Sequence, residues 1–208
     1  MINEALLLLA QKIKSVADTG LVYSTDDYNM ERYTQLQEMA IELMALTTNN
    51  PVEALTAVFD KVKDYPTPKT DVRAWIMNEQ KELLLVQEKS DNKWTLPGGW
   101  ADIGLTPAES VLKEVKEETG LDAVVTRLLA VFDKKQYAHP PQPFYVYKFV
   151  LLCEITGELN FIKPFDIADI RFFPIDQLPA LSLDRILPEQ LQLIHKRIVA
   201  GDTTTFID

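Results

Sequence analysis

Residues 98–121 constrain this chain more than any other stretch, because they combine a glycine-containing turn with a short helix that carries several glutamates. Glu114, Glu117 and Glu118 stand at positions i, i+3 and i+4, so a helix places them within roughly 60° of a common direction. Carboxylates held this close repel one another and either bind protons more readily or require a cation. An all-oxygen ligand set of this kind suits Mg²⁺ or Mn²⁺ better than zinc.

Both ends of this helix are specified by the sequence. Thr106, Pro107 and Glu109 predict a capping box with proline in the first helical position, and Gly120 can adopt the left-handed conformation that ends a helix. The opposite face is apolar, so we expect the carboxylates to face outward; it consists of Ala108, Val111, Leu112 and Val115. For the glutamates alone, a solvated acidic face is the commoner interpretation. The glycine loop ahead of the helix favours a metal site instead.

The segment resembles the signature of the Nudix hydrolases, G-x5-E-x7-R-E-U-x-E-E-x-G-U, in which U is aliphatic. Seven fixed positions match in register, namely Gly99, Glu114, Val115, Glu117, Glu118, Gly120 and Leu121. Leu105 replaces the first glutamate of the pattern, and Lys113 replaces its arginine. In the family those two residues brace the loop against the helix as a salt bridge, so they are lost here as a pair. Asp102 is our candidate to take over the bracing or to contact the metal.

The resemblance implies a Nudix-type α/β/α sandwich with a mixed sheet and a divalent ion, Mg²⁺ or Mn²⁺, as cofactor. Its ligands are expected to be the carbonyl of Gly99 and the carboxylates of Glu114, Glu117 and Glu118. The implied reaction is attack of water on one phosphorus of a nucleoside diphosphate linked to another group. A nucleoside monophosphate and a phosphorylated partner would result.

The resemblance leaves two sources for the general base. It is either one of the helix glutamates, Glu117 or Glu118, or an acid in a later loop. In the later segment Asp166 and Asp169 are available, and we favour Asp166. A solvated turn aspartate is an equally good interpretation of Asp166.

Selectivity for a substrate must come from residues outside the metal helix, because the phosphate chemistry is shared across the family. Our candidates for substrate binding are Trp100, Asp102, Tyr137, His139 and Phe144. Aromatic faces can stack a base, and His139 can hydrogen-bond a phosphate or a ribose. The ordinary alternatives are a tryptophan that fills the core and a histidine in a surface loop.

The acidic composition bears on the partners of the protein. A formal charge of −10 and a pI near 4.7 repel a pyrophosphate, so a divalent cation must invert the field locally. The same excess of acidic over basic residues argues against broad nucleic-acid binding. A single cysteine, Cys153, lies in an apolar run, which suggests a cytoplasmic protein without disulfides. The sequence shows neither a signal peptide nor an apolar run long enough to cross a membrane, so we expect a soluble protein.

Two prolines near residue 66 interrupt the apolar periodicity and divide the chain into a helical domain, 1–65, and a Nudix domain, 66–208. We expect three helices in the first domain, at residues 3–17, from residue 29 and from residue 51. The second helix is predicted to bury a stripe of Tyr33, Leu36, Ala40 and Leu43, and the third carries Leu55, Val58, Phe59 and Val62. Because this core is small, we predict a homodimer through these helices.

The second domain begins with two predicted strands around a polar turn at residues 78–81. Further strands are predicted at 121–135, 144–155 and 170–175, followed by a closing helix at 188–200. A mixed sheet with helices on two sides is the simplest architecture for this order.

The whole chain resembles the Nudix subfamily with an extra amino-terminal helical domain, whose members are ADP-ribose or CDP-choline pyrophosphatases and are commonly dimeric. A Mg²⁺-dependent hydrolase of such a compound is therefore our leading hypothesis. Two alternatives stay open. One is a nucleotide-binding sensor of weakened activity, suggested by Leu105 and Lys113. The other is a hydrolase that acts on RNA ends.

Overall fold

The computed structural model describes residues 2–59 and 65–208. The chain divides into two compact units. One unit comprises Met1–Pro68 and Pro141–Tyr145, and the other comprises Lys69–Pro140 and Val146–Asp208. Residues 141–145 therefore belong to the amino-terminal unit although they connect two strands of the other.

Three helices form most of the first unit, in agreement with the sequence: α1 Ile2–Tyr23, α2 Asp27–Thr48 and α3 Val52–Phe59. Helix α1 runs beyond the expected end at residue 17 because no proline interrupts it. Its Gly20 instead allows close packing, since an added Cβ would lie 2.5 Å from the ring of Tyr33. Asp26 caps α2 by accepting a hydrogen bond from Asn29 N at 2.9 Å. Val62, expected on the third helix, lies outside the described residues.

The core of this unit consists of Leu7, Ala10, Ile41, Met44, Leu55 and Phe59, with Phe144 packed against it. The predicted stripe on α2 is wrong for Leu36, which is 38% exposed. The buried face lies further round the helix and carries Ala40, Ile41, Met44 and Thr47. Asp18 of α1 forms a buried ion pair with Lys14, 2.6 Å away, and also accepts a hydrogen bond from Gln37 of α2 at 2.6 Å.

The second unit holds seven strands and two α-helices: β1 Lys69–Trp75, β2 Leu83–Glu88, β3 Trp94–Thr95, α4 Pro107–Thr119, β4 Ala123–Asp133, β5 Val146–Ile155, β6 Ile167–Phe173, α5 Pro188–Val199 and β7 Phe206–Ile207. One sheet is mixed and has the strand order β1-β5-β4-β7. The other is antiparallel and has the order β3-β2-β6. The two-residue strands β3 and β7 were not predicted, because they are too short for a periodic pattern.

The two strands around the turn at 78–81 exist as expected, but they belong to different sheets. Strand β1 pairs in parallel with β5, whereas β2 pairs with β3 and β6. Asn78 closes the turn by accepting a hydrogen bond from Glu82 N at 2.9 Å. The chain therefore crosses from one sheet to the other here.

Helices cover the sheets from two sides, which confirms the predicted α/β/α architecture. Val111 and Val115 of α4 pack with Val72 and other residues of one core cluster. Leu191 and Ile194 of α5 pack with Trp75 in a second cluster. Alternate residues of β1 thus serve different cores, and this arrangement fixes α4 beside the strand.

Cys153 is buried and free in β5, as expected, and burial raises the pKa of its thiol to about 12. Across residues 2–59 and 65–208, no helix combines the length and apolar character that a membrane crossing needs.

Candidate active site

The helix α4 is capped as the sequence predicts. Thr106 Oγ1 accepts a hydrogen bond from Glu109 N at 3.2 Å, and Glu109 Oε2 accepts one from Thr106 N at 2.8 Å. Gly120 ends the helix with φ 77° and donates to the carbonyl of Lys116 at 2.9 Å. Because Val111 and Val115 are fully buried, the rotation of the helix is fixed.

The glycine loop docks on β1 through backbone hydrogen bonds. Val72 N donates to Gly99 O at 2.8 Å, and Ala74 N donates to Pro97 O at 2.8 Å. Gly98 has φ 139°, and a Cβ at this position would lie 2.0 Å from the carbonyl oxygen of Val72. Only glycine therefore fits here, and the loop is held against the sheet.

Glu118 does not face outward, and the prediction that all three carboxylates do so is wrong for this residue. It is 8% exposed, and its Oε2 accepts a hydrogen bond from Gly98 N at 2.8 Å. Burial raises the pKa of Glu118 to about 8, against the opposing effects of the Arg73 charge and of the Gly98 hydrogen bond. The carboxylate is thus directed to the loop rather than to solvent.

Glu114 lies beside the next glycine. A Cβ on Gly99 would be 2.7 Å from Glu114 Oε1. Burial raises the pKa of Glu114, while the positive charge of Arg73 lowers it and the nearby Glu117 raises it. Within the described residues, no hydrogen bond or ion pair engages this carboxylate, so both of its oxygens remain available to a ligand.

Glu117 is the most exposed of the three glutamates, with 58% of its side chain accessible. Its Oε1 lies 3.8 Å from the ammonium of Lys113. The same ammonium is 2.6 Å from Asp102 Oδ2, so Asp102 links the loop to the helix. Lys113 and Asp102 thereby replace the salt bridge that Leu105 cannot form.

The donor chemistry of this cluster fits a hard divalent cation. The oxygens predicted as ligands are those of three carboxylates and of the Gly99 carbonyl, which also accepts from Val72 N, and burial disfavours the charge on Glu114 and Glu118 unless a cation is near. In the part of the chain that the structure describes, no three His, Cys, Asp or Glu side chains already converge on one point. An ion would therefore recruit Glu117 or water to complete its shell.

A buried ion cluster on the sheet was missed by the sequence analysis. Asp71 Oδ1 accepts from Arg73 Nε at 2.8 Å, and Asp71 Oδ2 pairs with Lys148 Nζ from the neighbouring strand. Burial disfavours the charged carboxylate, but these two cations outweigh that effect and hold the pKa of Asp71 below its usual value. The available signal was the placement of Asp71 and Arg73 two residues apart in a predicted strand, which puts both on one face.

Tyr137 and His139 form a separate group beyond β4. The Tyr137 hydroxyl donates to Asp208 Oδ1 at 2.8 Å, and its ring packs edge-on against Phe132. His139 is buried, and its Nδ1 lies 2.6 Å from the carbonyl oxygen of Leu183. Burial lowers the pKa of His139 to about 4, with smaller effects of nearby charges. The imidazole is therefore neutral near pH 7, with Nδ1 as the donor.

The remaining candidates lie in three different places. Trp100 is 47% exposed, next to the glycines, and Lys69 Nζ stands 5.3 Å from its ring centroid. Asp166 is exposed just before β6, where its backbone carbonyl accepts a hydrogen bond from Lys89 N at 2.9 Å. Phe144 belongs to the amino-terminal unit, where its ring packs edge-on against Phe59 at 5.6 Å.

Family models match most of the chain. The NUDIX domain model matches residues 67–197, and a model described as the UDP-X-like, N-terminal oligomerisation domain matches residues 4–59. The chain belongs to the Nudix family. The resemblance drawn from residues 98–121 is thereby confirmed.

Several proteins similar to this Nudix protein bear on the reaction that it catalyses. The Bacillus subtilis (strain 168) protein YjhB, provisionally named an ADP-ribose pyrophosphatase, is 42% identical over 202 residues, which are 96% of this chain and 95% of YjhB. A crystal structure of a UDP-X diphosphatase covers 99% of both chains at 35% identity, with a TM-score of 0.64. An ADP-ribose pyrophosphatase from Streptococcus suis matches 68% of this chain and 100% of its own at 39% identity, with a TM-score of 0.61. The protein is a Nudix pyrophosphohydrolase similar to ADP-ribose pyrophosphatases.

Proposed function

We propose that this Nudix protein is a Mg²⁺-dependent hydrolase of nucleoside diphosphates linked to a second group, with ADP-ribose as its first substrate. The observation that carries the proposal is the packing of Glu114 and Glu118 against Gly99 and Gly98 on a rigidly capped helix. Similarity to YjhB and to the Streptococcus suis enzyme supports ADP-ribose. The products would be AMP and ribose 5-phosphate.

Each part of the site has a distinct role in the proposal. Bound Mg²⁺, or Mn²⁺, would neutralise charge on the phosphates and lower the pKa of the attacking water. Glu114, Glu117, Glu118 and the carbonyl of Gly99 would hold the ion. Glu118 or Glu117 is the proposed base, because both lie on the metal helix. Asp166 is kept as the alternative base, since its exposed position lets it meet a substrate.

The residues proposed to contact the nucleotide differ in how far their side chains are already engaged within the protein. Trp100 has a partly exposed ring next to the metal loop, which suits stacking of a base. Asp102 is half-exposed and can reach a ribose hydroxyl, although it already pairs with Lys113. Tyr137, His139 and Phe144 have their rings engaged in packing or hydrogen bonding, so any contact from them would be through an edge or a polar atom.

A UDP-linked compound is the second candidate substrate. It is favoured by the UDP-X diphosphatase structure, which covers this chain over both units. A CDP-alcohol such as CDP-choline remains the third candidate, since the three classes share the diphosphate and differ only in the groups beside it. A reducing, cytoplasmic location is part of the proposal because the single cysteine, Cys153, is buried and free.

We further propose a homodimer through a helical domain of residues 1–65, with residues 66–208 as the hydrolase domain. Helix α2 presents a second apolar stripe at i, i+3 and i+10, in which Leu36, Met39 and Leu46 are 38%, 60% and 78% exposed. An exposed stripe of this kind suits a second copy of the chain. The match of residues 4–59 to an oligomerisation domain supports the same conclusion.

One assay tests the function. The protein is incubated with Mg²⁺ and ADP-ribose, a UDP-sugar, CDP-choline or triphosphorylated RNA, and the products are resolved by anion-exchange chromatography. We expect AMP from ADP-ribose with the highest kcat/KM. Preferential release of UMP would favour the second candidate, and preferential attack on RNA ends would contradict the proposal. Binding of ADP-ribose without any product would instead identify a sensor.

A further inference from the structure

The point at which the glycine loop leaves the antiparallel sheet is held by a side chain. Strand β3 ends at Thr95, the last residue paired with β2, so Leu96 is the first residue beyond the ladder. Leu96 is fully buried, and a buried carbonyl requires a hydrogen-bond donor. Arg73 Nη1 donates to this carbonyl at 3.1 Å.

Arg73 is itself fixed at its other nitrogens. Its Nε and Nη2 donate to the two oxygens of Asp71 at 2.8 Å and 3.3 Å, and Asp71 is held in turn by Lys148. All three side chains are buried. The guanidinium therefore joins two fixed points, the Asp71 carboxylate and the Leu96 carbonyl. A lysine carries all of its donors on one nitrogen and lacks the planar fork that spans these two groups.

The Leu96 carbonyl stands two residues before Gly98, whose N–H holds Glu118, and three before Gly99, which contacts Glu114. We infer that Arg73 is a positioning residue, which sets the glycine loop through the Leu96 carbonyl and thereby fixes the carboxylates of Glu114 and Glu118 on α4. The inference deepens the proposed function and rests on it for the catalytic role of those carboxylates. The placement of the loop itself does not depend on any activity.

The test uses the full-length, metal-free protein and the variant Arg73→Lys, which keeps the positive charge and loses the fork. Amide hydrogen exchange is followed residue by residue by NMR. We expect the Gly98 amide to exchange about tenfold faster in the variant, while amides of the β4–β5 ladder such as Val150 keep their wild-type rates. With Mg²⁺ and ADP-ribose, kcat should fall by about tenfold, because the loop that carries Gly98 and Gly99 is displaced.

Arg127→Lys is the matched control, since Arg127 also donates to a backbone carbonyl, that of Asp202 at 3.1 Å. The Arg127→Lys variant should leave the exchange rate of the Gly98 amide unchanged. An unaltered Gly98 rate in Arg73→Lys would overturn the inference, and so would an equal acceleration of all amides, which would mean a general loss of stability. If neither variant hydrolyses any substrate yet Gly98 alone exchanges faster in Arg73→Lys, the positioning role stands and the proposed function fails.

If Arg73→Lys does not fold, the wild-type protein still decides the matter. The Nη protons of Arg73 should give separate, slowly exchanging NMR signals, because both ends of the guanidinium are bound. A single averaged signal would show a freely rotating guanidinium and overturn the inference.

Discussion

The ammonium of Lys113 lies 2.6 Å from Asp102 Oδ2, and this ion pair joins helix α4 to the loop that carries Gly98 and Gly99. The usual Nudix pattern makes the same connection with a glutamate at the position of Leu105 and an arginine at the position of Lys113. Here the acid has moved three residues earlier in the loop. A monodentate lysine suffices, because a single carboxylate oxygen now faces the helix. The departure from the pattern therefore does not imply a loss of activity.

The first prediction concerns this brace. Asp102→Asn removes the charge that Lys113 meets, so the loop loses its link to α4 and kcat should fall by up to roughly tenfold. Adding Leu105→Glu together with Lys113→Arg restores the family's own salt bridge and should recover most of the activity. Steady-state kinetics with ADP-ribose measure both effects. No recovery in the triple variant would show that Asp102 acts on the substrate or metal instead.

The second prediction concerns Glu118. Glu118→Gln keeps the shape of the side chain and its hydrogen bond from Gly98 but removes the proposed metal ligand or base. We expect kcat to fall by about 10²-fold or more. Glu109→Gln on the same helix is the control, because glutamine also completes a capping box. Equal turnover in the two variants would mean that the buried carboxylate has no part in the reaction.

The third prediction uses the close approach of Gly99 to Glu114. In Gly99→Ala the new methyl would meet Glu114 Oε1 at 2.7 Å, so the carboxylate must move. We expect weaker Mn²⁺ binding by calorimetry and a kcat lower by roughly tenfold or more. Gly157→Ala is the control, since nothing lies within 4 Å of its added carbon. Wild-type metal affinity in Gly99→Ala would separate Glu114 from the metal site.

The fourth prediction concerns stability and pH. The pKa of His139 is about 4 in the folded protein, below its ordinary value of 6.5, so between these values the unfolded chain binds more protons. Stability must then fall as the pH drops through this window, by about 2 kcal/mol between pH 7.5 and 5 from this residue. His139→Asn, which can still donate to the Leu183 carbonyl, should lose less stability over that range in urea unfolding.

The other histidine provides the comparison for this experiment. His195→Asn on α5 should retain the wild-type fall in stability, and the chain has only these two histidines. Parallel curves for wild type and His139→Asn would show that His139 protonates as easily in the folded protein as in the unfolded chain.

Local signals explain why helix α4 was predictable. Its cap, its first proline, its apolar face and its terminal glycine act over a few residues, and all four are present in the structure as predicted. The burial of Glu118 was not predictable in this way. It depends on contact with Gly98, which lies twenty residues earlier in the chain and is brought there by pairing with β1.

The buried ions were missed for a related reason. Asp71 and Lys148 are 77 residues apart, and only the parallel pairing of β1 with β5 places them side by side. Pairing with distant strands likewise places β1 and β2, the two strands around the turn at 78–81, in different sheets. Pairing of distant strands is set by packing of the whole unit rather than by a local pattern.

The last prediction concerns association through α2. Met39→Lys combined with Leu46→Lys places two charges in the exposed apolar stripe, so burying them against a second copy would leave unpaired ions. We expect a homodimer in the wild type and a monomer in the double variant, measured by sedimentation velocity at micromolar concentration. Val124→Lys, on an exposed position of β4, should leave the dimer intact. Circular dichroism of the double variant should retain the wild-type helical signal, because neither side chain belongs to the core of the unit. A dimer that survives both charges would place the interface elsewhere on the chain.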